Sequence, residues 1–153
     1  MSLFTIFKIA SQGMTAQRER LETAAANLAN AHSTRTSEGG PYRRRDVLFE
    51  TVPLPDSGTT SDLPTTSLFA DSYAGAPQGV RASTEKAPVD QFIRRYDPGH
   101  PDADADGYVK LPDVDALEET VNMISAARSF EANATAFNTA KELARATLKL
   151  GES

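Results

Sequence analysis

Starting at Leu3, apolar or small side chains return at alternating steps of four and three: Leu3, Phe7, Ala10, Met14, Gln17, Leu21, Ala24, Leu28 and Ala31, with Gln17 the single polar member. Steps averaging 3.5 residues stay on one face of an α-helix and form the seam of a coiled coil. The spacing predicts a helix over about 3–31. Ile6, Ile9 and Ala25 widen its stripe, while Gln12, Arg18, Glu19, Arg20 and Glu22 fall largely off it. Gly13 weakens the helix locally, by roughly 1 kcal/mol relative to Ala. Long helices draw most of their stability from packing rather than propensity, so this seam requires a partner.

A second helical pattern at the other end of the chain meets that requirement. It runs from about Val114 to Leu150, with one apolar row at Met123, Ala127, Phe130, Ala134, Phe137, Ala144 and Leu148 and a neighbouring row at Leu117, Val121 and Ile124. Asp115 stands at the N-cap with Glu118 three residues on, the spacing of a capping box. Glu118 and Glu119 near the start and Arg145 and Lys149 near the end complement the helix dipole, and Gly151 is a natural stop. The two apolar rows make a face broader than a two-stranded seam needs, which predicts contact with several helices.

Between the helices the pattern changes to period two and then to none. Tyr42–Val52, Val80–Thr84 and Val89–Tyr96 read as strands, and Tyr108-Val-Lys as a short extended piece in a turn-rich stretch. Residues 53–79 are rich in Pro, Ser, Thr, Gly and Asp and read as a mobile loop. The fold expected is α+β: long terminal helices paired as an antiparallel coiled coil, with a small β-rich middle. The organisation expected is 1–33 and 112–153 as one helical unit, 34–111 as the middle, and 53–79 as a flexible insertion within it.

Composition narrows the function. The chain has 153 residues, 39% of them hydrophobic, and no tryptophan, so a large private core is not expected. A net charge of −5 argues against nucleic acid as the main partner, since phosphate binding wants a basic footprint. The absence of cysteine excludes disulfides and thiolate metal sites. No window reaches the roughly 18 apolar residues of a membrane span. The short apolar start lacks a basic segment before it, so no cleaved signal peptide is expected.

Several patterns resemble chemical sites. Asp102-Ala-Asp-Ala-Asp-Gly107, with Asp113 at the twelfth position, has the carboxylate spacing of a calcium loop. Pro98, Gly99 and Pro101 forbid the entering helix, Lys110 holds a ligand position, and Asp113 replaces the bidentate Glu, so an acidic turn without metal is expected. Arg43, Arg44 and Arg45, with Arg35 upstream, read as a strand-edge cluster facing an acidic neighbour. His32 and His100 lack ligand-like spacing, and no nucleophile elbow or phosphate loop is present. No cofactor, metal or catalysis is expected. Asn27 and Asn30 in the first helix, and Asn133 and Asn138 in the second, are poor helix formers. Asn27 reads as a register-fixing residue, and Asn30 alternatively as a C-terminal cap.

The run from Ala10 to Ala31, most specifically Ala26-Asn-Leu-Ala-Asn-Ala31 after the frame of Gly13, Met14 and Leu21, resembles the N-terminal signature of the flagellar axial proteins, the rod and hook subunits. Thr34–Arg45, Tyr96–Val109 and Ile124–Lys141 narrow the resemblance to the proximal part of the flagellar basal-body rod family. Residues 53–79 depart from the compact family pattern. The resemblance implies a structural protein, exported unfolded through the flagellar type III apparatus without a cleaved signal, that polymerises into a periplasmic rod. Its implied partners are further copies of itself, the rod proteins FlgB, FlgF and FlgG, the FliE adaptor and the membrane ring. The assembly interface expected comprises Leu3, Phe7, Met14, Leu21, Asn27, Leu28, Leu117, Val121, Ile124, Phe130, Phe137 and Leu148. A calcium-binding module and a helical-hairpin adaptor unrelated to flagella remain the alternatives at this point.

Overall fold

The computed structural model describes residues 3–54 and 77–151. Helix α1 (Leu3–Ala29) is followed by strands β1 (Arg45–Pro53), β2 (Gln78–Lys86), β3 (Phe92–Tyr96) and β4 (Tyr108–Pro112), and the chain returns as helix α2 (Ala116–Gly151). The helices run antiparallel. The rings of Phe7 and Phe137 lie 4.9 Å apart, Gly13 meets Asn133, and Arg20 donates to Asn122 at 2.8 Å. This is the α+β arrangement the spacing predicts.

Small residues set how closely the helices approach. Ala10, Ala24, Ala126 and Ala140 are buried, and a Cβ on Gly13 would stand 2.9 Å from the Asn133 amide nitrogen, while the buried Ala16 lies beside β2. The local cost of Gly13 is therefore offset by backbone proximity. Among the described residues the other buried apolar side chains are Ala31, Tyr42, Leu54, Ala87 and Val109.

Helix ends follow their capping residues. Asp115 Oδ1 accepts from the amides of Leu117 at 2.8 Å and Glu118 at 3.4 Å, so α2 starts at Ala116 rather than Val114. Glu118 does not complete a capping box, because its carboxylate is held by Arg44. Gly151 is helical rather than a stop beyond the helix. Helix α1 ends at Ala29, two residues before the predicted limit, because the Asn30 side chain donates back to the Ala26 carbonyl at 2.9 Å.

The described residues of the middle form two separate antiparallel hairpins. In the first, β1 pairs with β2 from Arg45 opposite Lys86 to Pro53 opposite Gln78. Tyr42 to Arg44 drop out of the predicted first strand because the Tyr42 amide is spent on the Ser33 carbonyl. In the second, Phe92 faces Pro112 and Tyr96 faces Tyr108. Pro88 and Gln91 close a turn, so β3 starts at Phe92 and not at Val89. The loop expected over 53–79 lies, for 55–76, outside the described residues, while Pro53, Gln78 and Gly79 belong to the first hairpin. Among the described residues that hairpin packs on α1 and not on α2. Gly79 is buried there, and a Cβ on it would fall 1.8 Å from Gln12 Oε1.

Candidate functional site

The α1 seam divides in two. Phe7, Met14 and Leu21 are half-buried, with Phe7 and Leu21 turned toward α2, where Phe7 meets Phe137 and Leu21 shares a groove with Ala126, Ala127 and Phe130. Leu3 begins the helix. Leu28 sits on the exposed side, whereas its neighbour Asn27 is 1% exposed.

On α2 the face turned to α1 is defined by Glu119, Ala126, Asn133, Phe137 and Ala140. Leu117, Val121 and Ile124 lie off that face and stay 73%, 58% and 51% exposed; Leu148 is 70% exposed and Phe130 partly so. The residues read from sequence as one interface are thus of two kinds. Some close the helix pair within the chain, and others remain on its surface as a stripe about one helical turn apart.

Beneath one end of that stripe lies a polar knot. Asn27 donates through Nδ2 to the Arg45 carbonyl at 2.8 Å, and its Oδ1 accepts from the Arg45 amide and the Tyr42 hydroxyl, both at 3.0 Å. One side chain therefore docks the start of β1 on α1. Arg44 reaches the other way. Its terminal nitrogens donate to the two Glu118 oxygens at 2.9 and 3.4 Å, and its Nε stands 3.0 Å from Glu119 Oε1 and 3.4 Å from Asp46. The Nε–H is not aimed at Glu119, so that contact is an attraction of charges rather than an aligned hydrogen bond. Glu119 is 2% exposed, and burial raises its pKa above the ordinary glutamate range more than Arg44 and Asn27 lower it. Burial likewise raises the Tyr42 hydroxyl.

The arginines expected as one patch have three separate jobs. Arg43 grips the Ala87 carbonyl with Nε at 2.8 Å and with a second nitrogen. Arg44 binds α2, and Arg45 lies over the Tyr42 ring. Tyr42, Arg44 and Glu119 were not singled out together by sequence reading. The available signal was spacing, since Glu119, Ala126, Asn133 and Ala140 recur every seven residues.

The acidic stretch is wired internally. Asp104 Oδ1 accepts from the amides of Tyr108 at 2.8 Å and Asp106 at 3.1 Å, its Oδ2 accepts from Arg94 at 3.0 Å, and the Tyr108 amide is the first cause of its lowered pKa. Asp102 accepts from the Thr34 hydroxyl at 2.7 Å and Asp113 from Gln91 at 3.0 Å. The left-handed Gly107, φ +81°, closes the turn. These carboxylates point at separate donors, and among the described residues no cluster of His, Asp or Glu could hold a metal ion. His100 lies beside the Asp102 amide, and His32 is exposed. No helix among the described residues is long and apolar enough to cross a membrane.

A paired-helix shaft carrying small hairpins, with unpartnered apolar residues along one helix, is the build of an axial assembly subunit. Two family models match its ends: "Flagella basal body rod protein" over residues 7–35 and "Flagellar basal body rod FlgEFG protein C-terminal" over residues 105–150. Relatives match nearly end to end. The flagellar basal-body rod protein FlgC of Borreliella burgdorferi is 39% identical over 98% of each chain. Those of Escherichia coli O157:H7 and Bacillus subtilis strain 168 are 40% and 36% identical over 99% of this chain and 100% of theirs. The chain belongs to the FlgC family, and is a structural subunit of the flagellar basal-body rod.

Proposed function

We propose that residues 1–33 and 112–153 act as one assembly unit and that 34–111 carry its outer contacts, with 53–79 as an insertion. In this reading Phe7, Met14, Leu21 and Phe137 hold the two helices together within a subunit. Leu28, Leu117, Val121, Ile124, Phe130 and Leu148 face neighbouring subunits. Asn27 serves the interface indirectly, by fixing the hairpin beside it. The observation that carries the reading is the Leu117–Val121–Ile124 stripe, which α1 leaves uncovered. Apolar surface of this kind stabilises association at about 25 cal/mol per Å² removed from water.

The partners proposed are further copies of this chain, FlgB, FlgF, FlgG, the FliE adaptor and the membrane ring, in the proximal, periplasmic part of the rod. Entry by the flagellar export apparatus, unfolded and without a cleaved signal, belongs to the same proposal. The absence of catalysis and of any cofactor belongs to the same proposal, supported by the binding of Asp102, Asp104 and Asp113 to donors within the chain. Deletion of the gene tests the placement. The expected result is non-motile cells whose basal bodies keep membrane rings and lack rods in electron micrographs. Intact rods and normal swimming would refute it.

A further inference from the structure

Both strands of the first hairpin pack on α1, and no backbone of β1 or β2 approaches α2 among the described residues. Between β1 and the start of α2 lies an open groove of about 420 Å³, lined by Val47 and Phe49 on one side and Glu118 and Asn122 on the other. Arg44 crosses it, anchored just before β1 and bound to Glu118 and Glu119. We infer that Arg44 is a positioning residue, an adjustable tie that fixes the first hairpin against the start of α2, and that proton uptake at Glu119 loosens it.

The geometry separates two attachments. Asn27 and the strand packing hold the hairpin to α1, and they stay in place if Arg44 lets go. The hairpin's pose relative to α2 is set through α1 and, directly across the groove, by side-chain charge. The groups facing Glu119 are Arg44 and Asp46 from the hairpin side, Asn27 from α1, and Glu118 from its own helix; Tyr42 is coupled to it from the turn, and Arg20 and Arg45 line the groove. Arg44 supplies the attraction, Glu118 and Asp46 oppose the Glu119 charge, and burial opposes it further. Neutralising Glu119 removes its pull on Arg44 Nε and leaves the exposed Glu118 pair, which solvent screens. Two signs therefore diverge on acidification. The tie weakens, while the folded state gains stability from protonating a buried carboxyl. A residue with a merely structural role gives no such split.

The chain has no cysteine, so Glu50→Cys on β1 and Ser125→Cys on α2, both exposed, take spin labels cleanly in the full-length protein. Pulsed electron resonance then reads the spread of distances between hairpin and helix. The expected result is a narrow spread at neutral pH that widens about twofold as pH falls toward 5. Arg44→Ala should be wide at both pH values, and Arg44→Lys, which keeps the charge, should recover most of the neutral-pH narrowness. Glu119→Gln should show the acid width at every pH, and it carries the test if Arg44→Ala does not fold. A wild-type spread that ignores pH, a neutral-pH spread as wide as that of Arg44→Ala, or a pH response that survives in Glu119→Gln would overturn the inference.

Discussion

Asn27 bonds to Arg45 as a neighbouring strand would, donating to its carbonyl at 2.8 Å and accepting from its amide at 3.0 Å. The side chain is buried, so removing it takes this partner from the part-buried Arg45 amide and carbonyl and from the buried Tyr42 hydroxyl. Each orphaned group costs about 1–3 kcal/mol. Asn27→Ala is expected to lose at least about 2 kcal/mol of stability by urea titration. Asn27→Asp should lose more at neutral pH, because it sets a second buried carboxylate near Glu119, and should recover part of the loss on acidification. A change within roughly 0.5 kcal/mol for both variants would remove Asn27 as the anchor of the hairpin.

A Cβ on Gly79 would meet Gln12 Oε1 at 1.8 Å and Leu54 Cδ2 at 3.1 Å, so both side chains must shift to admit one. Gln12 Oε1 is itself buried without a hydrogen bond, and Leu54 stands behind the same spot, so an added methyl must displace both side chains. Gly79→Ala should push β2 off α1 and cost about 1–3 kcal/mol. Gly99→Ala has only Asp97 at 3.9 Å and serves as the tolerant comparison. Amide hydrogen exchange should show faster opening of β1 and β2 in the first variant and none in the second. Equal protection in both would contradict the packing described.

The long helices were legible because their spacing persists over many turns, and the capping role of Asp115 because it precedes that spacing. The exact α2 face was not. Hydropathy gives weight to Met123, Phe130 and Leu148, whereas the row against α1 includes Glu119 and Asn133, polar residues that no apolar count selects. Hydropathy therefore selects a mixed set, of which Phe137 meets α1 while Leu117, Val121 and Ile124 stay on the surface. The arginine run read as one patch because three adjacent charges look alike in sequence. Their separation depends on where the turn at 30–44 places Ala87, Glu118 and Tyr42, a tertiary fact. Alternation placed the strands to within a few residues, and their ends depended on pairing partners and turn hydrogen bonds.

Asp104 holds the turn before β4 through two backbone amides and Arg94. Its lowered pKa means that the charged form favours the fold, a contribution present above the unfolded-state pKa and lost as pH falls through the folded value. Asp104→Ala should loosen the second hairpin, seen as lost exchange protection at Tyr108. Calorimetry with calcium at about millimolar concentration, the weak end of calcium-loop affinity, should show no binding to the wild type. A saturable heat abolished by Asp104→Ala would reopen the calcium reading.

Glu119 carries the opposite sign. Its pKa is raised, so its contribution to stability is complete below the unfolded-state value and is lost as pH rises through the folded one. At neutral pH the ionised carboxylate is held at a cost that Arg44 only partly offsets. Glu119→Gln keeps the shape, and Arg44 retains Glu118 and Asp46. The variant is expected to melt higher than wild type at neutral pH, by roughly 2–4 °C, the shift that about 1 kcal/mol produces at this chain length. The gap should close on acidification as the wild-type residue takes up its proton. A variant that melts lower at every pH would mean that the charge pair is net stabilising.

Ile124 separates folding from assembly. It is half-exposed on the side of α2 that α1 does not cover, so Ile124→Lys removes no contact that holds the helices together. Its effect on the melting of the isolated chain should stay within about 0.5 kcal/mol, the usual range at exposed positions. In the rod reading, however, the lysine charge would be buried against a neighbouring subunit, at a cost of several kcal/mol unless it is paired there. Cells carrying Ile124→Lys should therefore be non-motile and lack complete rods while the protein itself stays folded. Ser125→Lys, beside it and equally surface-placed but outside the apolar stripe, should swim better. If Ile124→Lys swims as wild type does, the stripe faces solvent in the rod, and the contacts between subunits must be sought on the hairpins instead.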